Sequence, residues 1–174
     1  MTTSPTSISI YHASVPVFRQ MLLALSDVLG KAETYVEAKK VTPAVLLQSR
    51  LALDMFPLAR QVQIACDFAT SVTARLTSLE VPGYDDSELD IAGLKAQIAR
   101  TVDFLDGTNE AQFDSSEALE IVLRPGTPKE KTLNGRDYLL AYGLPQFFFH
   151  VTTAYNLLRH NGVEIGKKDY MGSY

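Results

Sequence analysis

The segment GRDYLLAYGLPQFFFHVTTAYNLLRHNG, residues 135–162, is the most apolar long stretch of the chain. On a helix it would carry apolar residues on nearly every side around residues 147–149, which is typical of a helix buried among others. Gly143 and Pro145 interrupt the pattern and predict a kink. We therefore expect this segment to form the last long helix of a bundle, with the other helices packed around it.

Three further stretches carry apolar residues at alternating steps of four and three, which is the spacing of a helical-bundle seam. The first begins at Ser9 and ends at Lys40, and the second occupies about 57–79. The third is expected to begin at Ser87, with Asp90 three residues later completing a variant capping box. The sequence therefore predicts an all-α fold, a four-helix bundle.

Two smaller elements are expected between the long helices. Thr42 and Pro43 are suited to an N-cap and a first helical position, so they predict a short helix at about 43–53. Alternating polarity around a turn predicts a two-stranded β-hairpin at about 119–133, which must lie on the bundle because an isolated hairpin is marginal. The third long helix is expected to be an outer one, with an outward face that holds Lys95, Gln97, Arg100 and Asp103.

Length and composition restrict the classes of function. A chain of 174 residues suits one domain, residues 1–174, with a loose start at 1–7 and a tail at 163–174. The net charge of -4 argues against a nucleic-acid partner. No apolar run approaches the ~20 residues that a membrane span needs, and the start lacks the features of a signal peptide. Cys66 is the only cysteine, so we expect no internal disulfide, a buried thiol and a cytoplasmic location.

Polar residues interrupt the last long helix at one place. Gln146, His150 and Thr153 follow one another at steps of four and three, so they share a face at the border of the buried side. The neighbouring stripe is wholly apolar and is expected to face the core; it comprises Leu140, Leu144, Phe147, Val151, Ala154 and Leu158. Buried polar groups cost stability unless they are paired. His150 is therefore either a base or metal ligand in a pocket, or a hydrogen-bonded structural histidine.

A second polar stripe lies on the second long helix, where Arg60, Gln63 and Asp67 share a face. One interpretation is a solvated stripe in which Gln63 helps to join Arg60 to Asp67. The other is a functional site in which Gln63 turns toward His150.

The remaining candidates for chemistry are weak. His12 is interpreted as a structural or surface residue, and His160 as a histidine that interacts favourably with a helix C-terminus. The sequence contains no HExxH, CxxC, glycine-rich phosphate loop or GxSxG motif. His150 is the one good metal ligand at an interior position, whereas a catalytic zinc needs three protein ligands.

Three runs of sequence resemble a domain-of-unknown-function family of bacteria and fungi: YHASVPVF at 11–18, DMFPLARQVQIACDF at 54–68 and LPQFFFHVTTAYNLLRHNGV at 144–163. The resemblance extends over about 9–172. That family is similar in fold to the DinB/YfiT-like metalloenzyme superfamily, whose members are four-helix bundles and often dimers. Some relatives are thiol-dependent transferases or isomerases. The resemblance implies a divalent metal such as zinc or nickel, held by three histidines.

The implied ligands match this chain only in part. The resemblance implies two histidines four residues apart on the last helix, and these positions are Gln146 and His150. The third, on the second long helix soon after a proline, falls near Gln63, six residues after Pro57. Neutral amides are poor ligands for zinc or nickel. One of the three implied ligands is therefore retained.

Two functions follow as hypotheses. The first is a ligand-binding bundle with a degenerate metal site, which holds a small molecule between the second and fourth long helices in a pocket lined by Gln63, Gln146, His150 and Tyr155. The second is a metal- or thiol-dependent transferase or isomerase that uses His150 as ligand or general base. We also expect a homodimer, because apolar stripes wider than one seam leave surface to cover.

Overall fold

The computed structural model describes residues 8–83 and 90–174, and it confirms the helical bundle with a small hairpin. The four long helices are α1 (Ile10–Lys39), α3 (Leu58–Thr77), α4 (Ile91–Asp106) and α6 (Leu144–His160). The short ones are α2 (Pro43–Leu47), α5 (Gly135–Asp137) and α7 (Lys167–Met171). The apolar faces of the long helices form one core, in which the fully buried rings of Phe18 and Phe147 meet edge to face.

Side-chain caps set where two of the helices begin. Ser9 accepts a hydrogen bond from the His12 amide at the start of α1, as its position in the sequence suggested. Asp90 accepts from the Gly93 amide at 2.7 Å and is therefore the N-cap of α4. The sequence analysis placed Asp90 three residues inside the helix, and that prediction was wrong. The predicted start at Ser87 lies outside the described residues.

The short helix α2 ends at Leu47, so the prediction that it would continue to about residue 53 was wrong. Local hydrogen bonds favour a loop beyond it. The Ser49 hydroxyl donates to the Leu46 carbonyl at 2.6 Å, and the Arg50 guanidinium donates to the Met55 carbonyl at 2.5 Å. Residues 48–57, the α2–α3 loop, thus have a fixed path before α3 begins.

The hairpin pairs β1 (Glu120–Leu123) with β2 (Lys131–Asn134) in an antiparallel register, close to the predicted range. Ile121 and Leu123 are buried against the bundle and Val122 points outward, as a two-residue period requires. Two short 3₁₀ turns, Glu110–Phe113 and Ser116–Ala118, precede it. The sequence analysis did not foresee these turns.

The last long helix is interrupted as expected, and the interruption is a change from α-helical to π-helical winding. Between α5 and α6 the six residues Tyr138–Gly143 form a π-helical segment. Pro145 has no amide hydrogen to donate, so an α-helical bond to the carbonyl four residues earlier cannot form. The wider winding shifts the apolar stripe upstream of α6. Tyr138 and Leu139 are fully buried, whereas Leu140 is 48% exposed. The prediction that Leu140 faces the core was wrong for this reason.

Other parts of the surface differ from expectation in detail. Gln97, which was predicted to lie on the outward face of α4, is 3% exposed and is buried in the bundle. The tail contains helix α7, which is tied to α1 by the ion pair between Lys31 and Asp169. Cys66 is buried and forms no disulfide. Among the described residues, no helix is long and apolar enough to cross a membrane.

Candidate functional site

His150 makes a direct polar contact with Gln61 across the α3–α6 interface. Nδ1 of His150 lies 2.7 Å from Oε1 of Gln61, and the two residues are only 7% and 1% exposed. Gln61 Nε2 donates at 3.0 Å to the carbonyl of Phe56, which can only accept. This bond orients the amide so that Oε1 faces the imidazole as an acceptor. His150 therefore carries its proton on Nδ1, and its Nε2 has a lone pair.

The surroundings of the ring keep His150 neutral. Burial of the imidazole, followed by the positive charge of Arg60, lowers the pKa of His150 from 6.5 to about 4. The ring of Phe68 stacks on it, with centroids 5.8 Å apart and planes 15° apart, while Phe149 meets it edge-on at 5.2 Å. An imidazole between apolar rings loses hydration in its charged form, which accounts for the direction of the shift.

Nε2 is the free end of this arrangement. No residue in the described parts of the chain hydrogen-bonds it. In the described parts of the chain its lone pair therefore meets no hydrogen-bond donor. It can accept a hydrogen bond or a proton from a molecule that approaches from outside.

The neutral state of His150 predicts a dependence of stability on pH. Between about pH 6.5 and pH 4 the unfolded chain binds a proton at His150 and the folded chain does not, so the free energy of unfolding should fall as pH falls through this interval. The contribution is up to about 3 kcal/mol. Urea unfolding of wild type and His150→Gln near pH 7 and near pH 4 measures it.

In that experiment the stability of the wild type relative to His150→Gln should decline as the pH is lowered. His160→Gln is the matched control, because His160 is exposed at the end of α6. Near pH 7 its free energy of unfolding should match that of the wild type to within about 0.5 kcal/mol. Parallel curves for wild type and His150→Gln would contradict the buried neutral imidazole.

The stripe of Arg60, Gln63 and Asp67 forms contacts along α3. Arg60 donates to Oε1 of Gln63 at 3.3 Å and pairs directly with Asp67 at 3.8 Å, whereas the first interpretation had Gln63 helping to join the two. Gln63 is only 3% exposed, so it is less solvated than that interpretation supposed. Gln61, two residues earlier, makes the contact with His150 that was considered for Gln63.

The other two predicted pocket residues lie apart from each other. Gln146 is half-buried, one turn from His150, and no described residue hydrogen-bonds its amide. Tyr155 is five residues from His150, which turns it about 140° around the helix. Its ring packs against Tyr170 of α7 and borders a gap of 10 Å³ beside α1. Tyr155 therefore lies on a different side of α6 from Gln146 and His150.

Sequence reasoning missed Gln61 and the apolar surface beside it. Gln61 lies four residues after Pro57 and seven before Phe68, so helical spacing alone places it on the same face as the ring that stacks on His150. Phe149, which meets the imidazole edge-on, is 52% exposed, and Phe56, whose carbonyl accepts from Gln61, is 54% exposed. An aromatic ring in contact with His150 thus remains open to solvent.

The residues present do not fit a three-histidine metal site. Nδ1 of His150 is already bonded to Gln61, and the next polar group on the same face of α6 is the amide of Gln146. His12 pairs with Ser9 and Glu110 on the surface. The described residues include no group of three histidine, cysteine, aspartate or glutamate side chains that could hold an ion. An amide has little affinity for zinc or nickel, so this donor set is a poor one.

Comparison with known proteins agrees with the fold. Residues 10–171 match a family model described as a domain of unknown function, DUF1993. A crystal structure of a DinB family member protein from Shewanella denitrificans is similar, with a TM-score of 0.90 and 45% sequence identity over 95% of this chain and 93% of that chain. No protein of curated function matches. The chain therefore belongs to the DUF1993 family and has a fold like that of the DinB family member.

Proposed function

We propose that this protein binds a small molecule at His150 without the help of a bound metal. The observation that carries this proposal is the 2.7 Å hydrogen bond between Nδ1 of His150 and Gln61. It occupies one ring nitrogen, fixes the tautomer and leaves Nε2 as an acceptor. Ligand sites in helical bundles are formed by side chains on facing helices, and this pair joins α3 to α6.

The chemistry of the site favours recognition of a ligand. A general base works best with a pKa near the operating pH, whereas the pKa of His150 is lowered to about 4. A neutral imidazole with one fixed N–H is well suited to accepting a hydrogen bond. The rings of Phe68 and Phe149 beside it supply the apolar contacts that fill most of a small-molecule site.

The test of metal-independent binding starts with elemental analysis of protein made without a histidine tag and exchanged against a weak chelator. We expect no stoichiometric transition metal. Calorimetric titration with zinc chloride should give the same weak response for wild type and for His150→Gln, because surface groups alone account for it. A stoichiometric metal that His150→Gln loses would overturn the proposal.

A thiol-dependent transferase or isomerase is the second candidate. It is favoured by the lone pair on Nε2, which could take a proton from a thiol that approaches the site. The low pKa of His150 makes it a weak base for this purpose, which is why binding is preferred. Transfer of the thiol proton to His150 would show as a thiolate absorbance that appears on mixing and is absent from His150→Ala.

A further inference from the structure

We propose that the ligand of this site is an uncharged aromatic hydroxyl compound of the phenol class, which donates its O–H to Nε2 of His150. The inference rests on the proposed function and names the class of molecule that the same site takes. Three features carry it: the fixed direction of the hydrogen bond, the charge beside the ring and the aromatic groups around it.

The direction of the hydrogen bond follows from the chain of contacts behind His150. The Phe56 carbonyl accepts from Gln61 at 3.0 Å, so the Gln61 oxygen must accept from Nδ1 of His150 at 2.7 Å. A neutral imidazole has one N–H, so Nε2 can only accept. A ligand must therefore bring a donor. Ethers and ionised carboxylates bring none, whereas a hydroxyl does.

The local charge excludes cationic donors. The positive charge of Arg60 acts on the imidazole, and Arg60 pairs with the carboxylate of Asp67 at 3.8 Å. An ammonium ligand at Nε2 would come close to this guanidinium. Among the described residues that contact His150, none would offer the ammonium group a carboxylate to pair with. An uncharged donor meets no such repulsion.

The body of the ligand is assigned from the side chains around the donor position. Phe68 stacks on the imidazole, Phe149 stands at its edge, and about half of the Phe149 side chain is open to solvent. Phe56, whose carbonyl anchors Gln61, is 54% exposed in the adjoining loop. Aromatic rings prefer edge-to-face or offset contacts with one another. A phenol can bring its hydroxyl to Nε2 while its ring packs against the exposed part of Phe149.

The experiment follows the imidazole resonances of His150 by NMR of isotope-labelled histidine while phenol, anisole, cyclohexanol or benzylamine is added. Phenol should shift the His150 signal saturably and bind about tenfold more tightly than anisole, which is the factor that one ordinary hydrogen bond supplies. Cyclohexanol keeps the hydroxyl without the aromatic ring and should bind more weakly than phenol. Benzylamine should not bind.

Two variants separate the parts of the inference. Phe149→Leu removes an exposed ring, so the fold should persist while phenol affinity falls. His160→Gln, at the exposed end of α6, is the matched control and should change nothing. Equal binding of phenol and anisole, or tighter binding of benzylamine, would overturn the ligand class and leave the proposed site intact. If none of the four compounds shifts the His150 signal, the proposed binding function itself fails.

Discussion

Gly135→Ala is expected to lower the free energy of unfolding by about 3 kcal/mol or more, because a Cβ at this position would overlap the backbone carbonyl oxygen of Ser116. That carbonyl accepts from the Leu119 amide at 3.2 Å, and the side chain of Leu76 lies 3.2 Å from the same Cβ position. Neither backbone segment can move without breaking its own bonds. Thermal unfolding should show a decrease in Tm of roughly 10 °C.

Gly166→Ala is the matched control for this substitution. A Cβ at Gly166 meets no atom within 4 Å, and its φ of -138° is open to alanine. Its unfolding curve should overlay that of the wild type to within a few tenths of a kcal/mol, apart from the small stabilisation that a glycine replacement can give. Equal midpoints for Gly135→Ala and Gly166→Ala would show that β2 and α5 do not approach Ser116 as closely as described.

Gln61→Leu is the second substitution with a large expected effect on stability. It keeps the approximate size of the side chain but leaves the Nδ1–H of His150 without its acceptor and the Phe56 carbonyl without its donor. A buried polar group that loses its partner costs about 1–3 kcal/mol, so we expect a loss of about 2 kcal/mol in the free energy of unfolding. Urea unfolding measures this loss. NMR of the imidazole nitrogens should also show that the single Nδ1–H tautomer has become a mixture.

Gln146→Leu tests whether the loss of stability in Gln61→Leu comes from the broken hydrogen bond to His150. The alternative is that replacing any amide near His150 has the same cost. Gln146 is one turn from His150 on α6, and its amide has no hydrogen bond to the described residues. Its replacement should change stability by less than about 0.5 kcal/mol and should leave the tautomer unchanged. If Gln61→Leu and Gln146→Leu gave equal losses, the special role of Gln61 would be refuted.

The sequence predicted the architecture well because long amphipathic helices repeat one signal over many turns. The seams of α1 and α3 each extend over several turns, so an error at one position does not change the prediction. Shorter elements give weaker signals. The end of α2 at Leu47 depends on hydrogen bonds of Ser49 and Arg50 within the loop, which no periodicity reveals.

The candidate site was predicted in part, and the reason is geometric. The position of His150 followed from its place on an otherwise apolar helix, and the structure buries it. Which residue of α3 hydrogen-bonds His150 depends on how α3 is rotated about its own axis. Gln61 and Gln63 differ by about 200° around that axis, and only the packed structure shows which of them faces α6. The position six residues after Pro57 directed attention to Gln63, whereas the contact is made by Gln61.

The π-helical segment has a consequence for comparing this chain with relatives. Tyr138–Gly143 accommodates an additional residue relative to an α-helical path of the same length. An alignment with a relative whose last helix is α-helical throughout therefore needs a one-residue gap within this segment. Counting from the hairpin without that gap would place the equivalents of Gln146 and His150 one position out, on a different side of the helix. Equivalent residues are better identified by counting back from the end of α6.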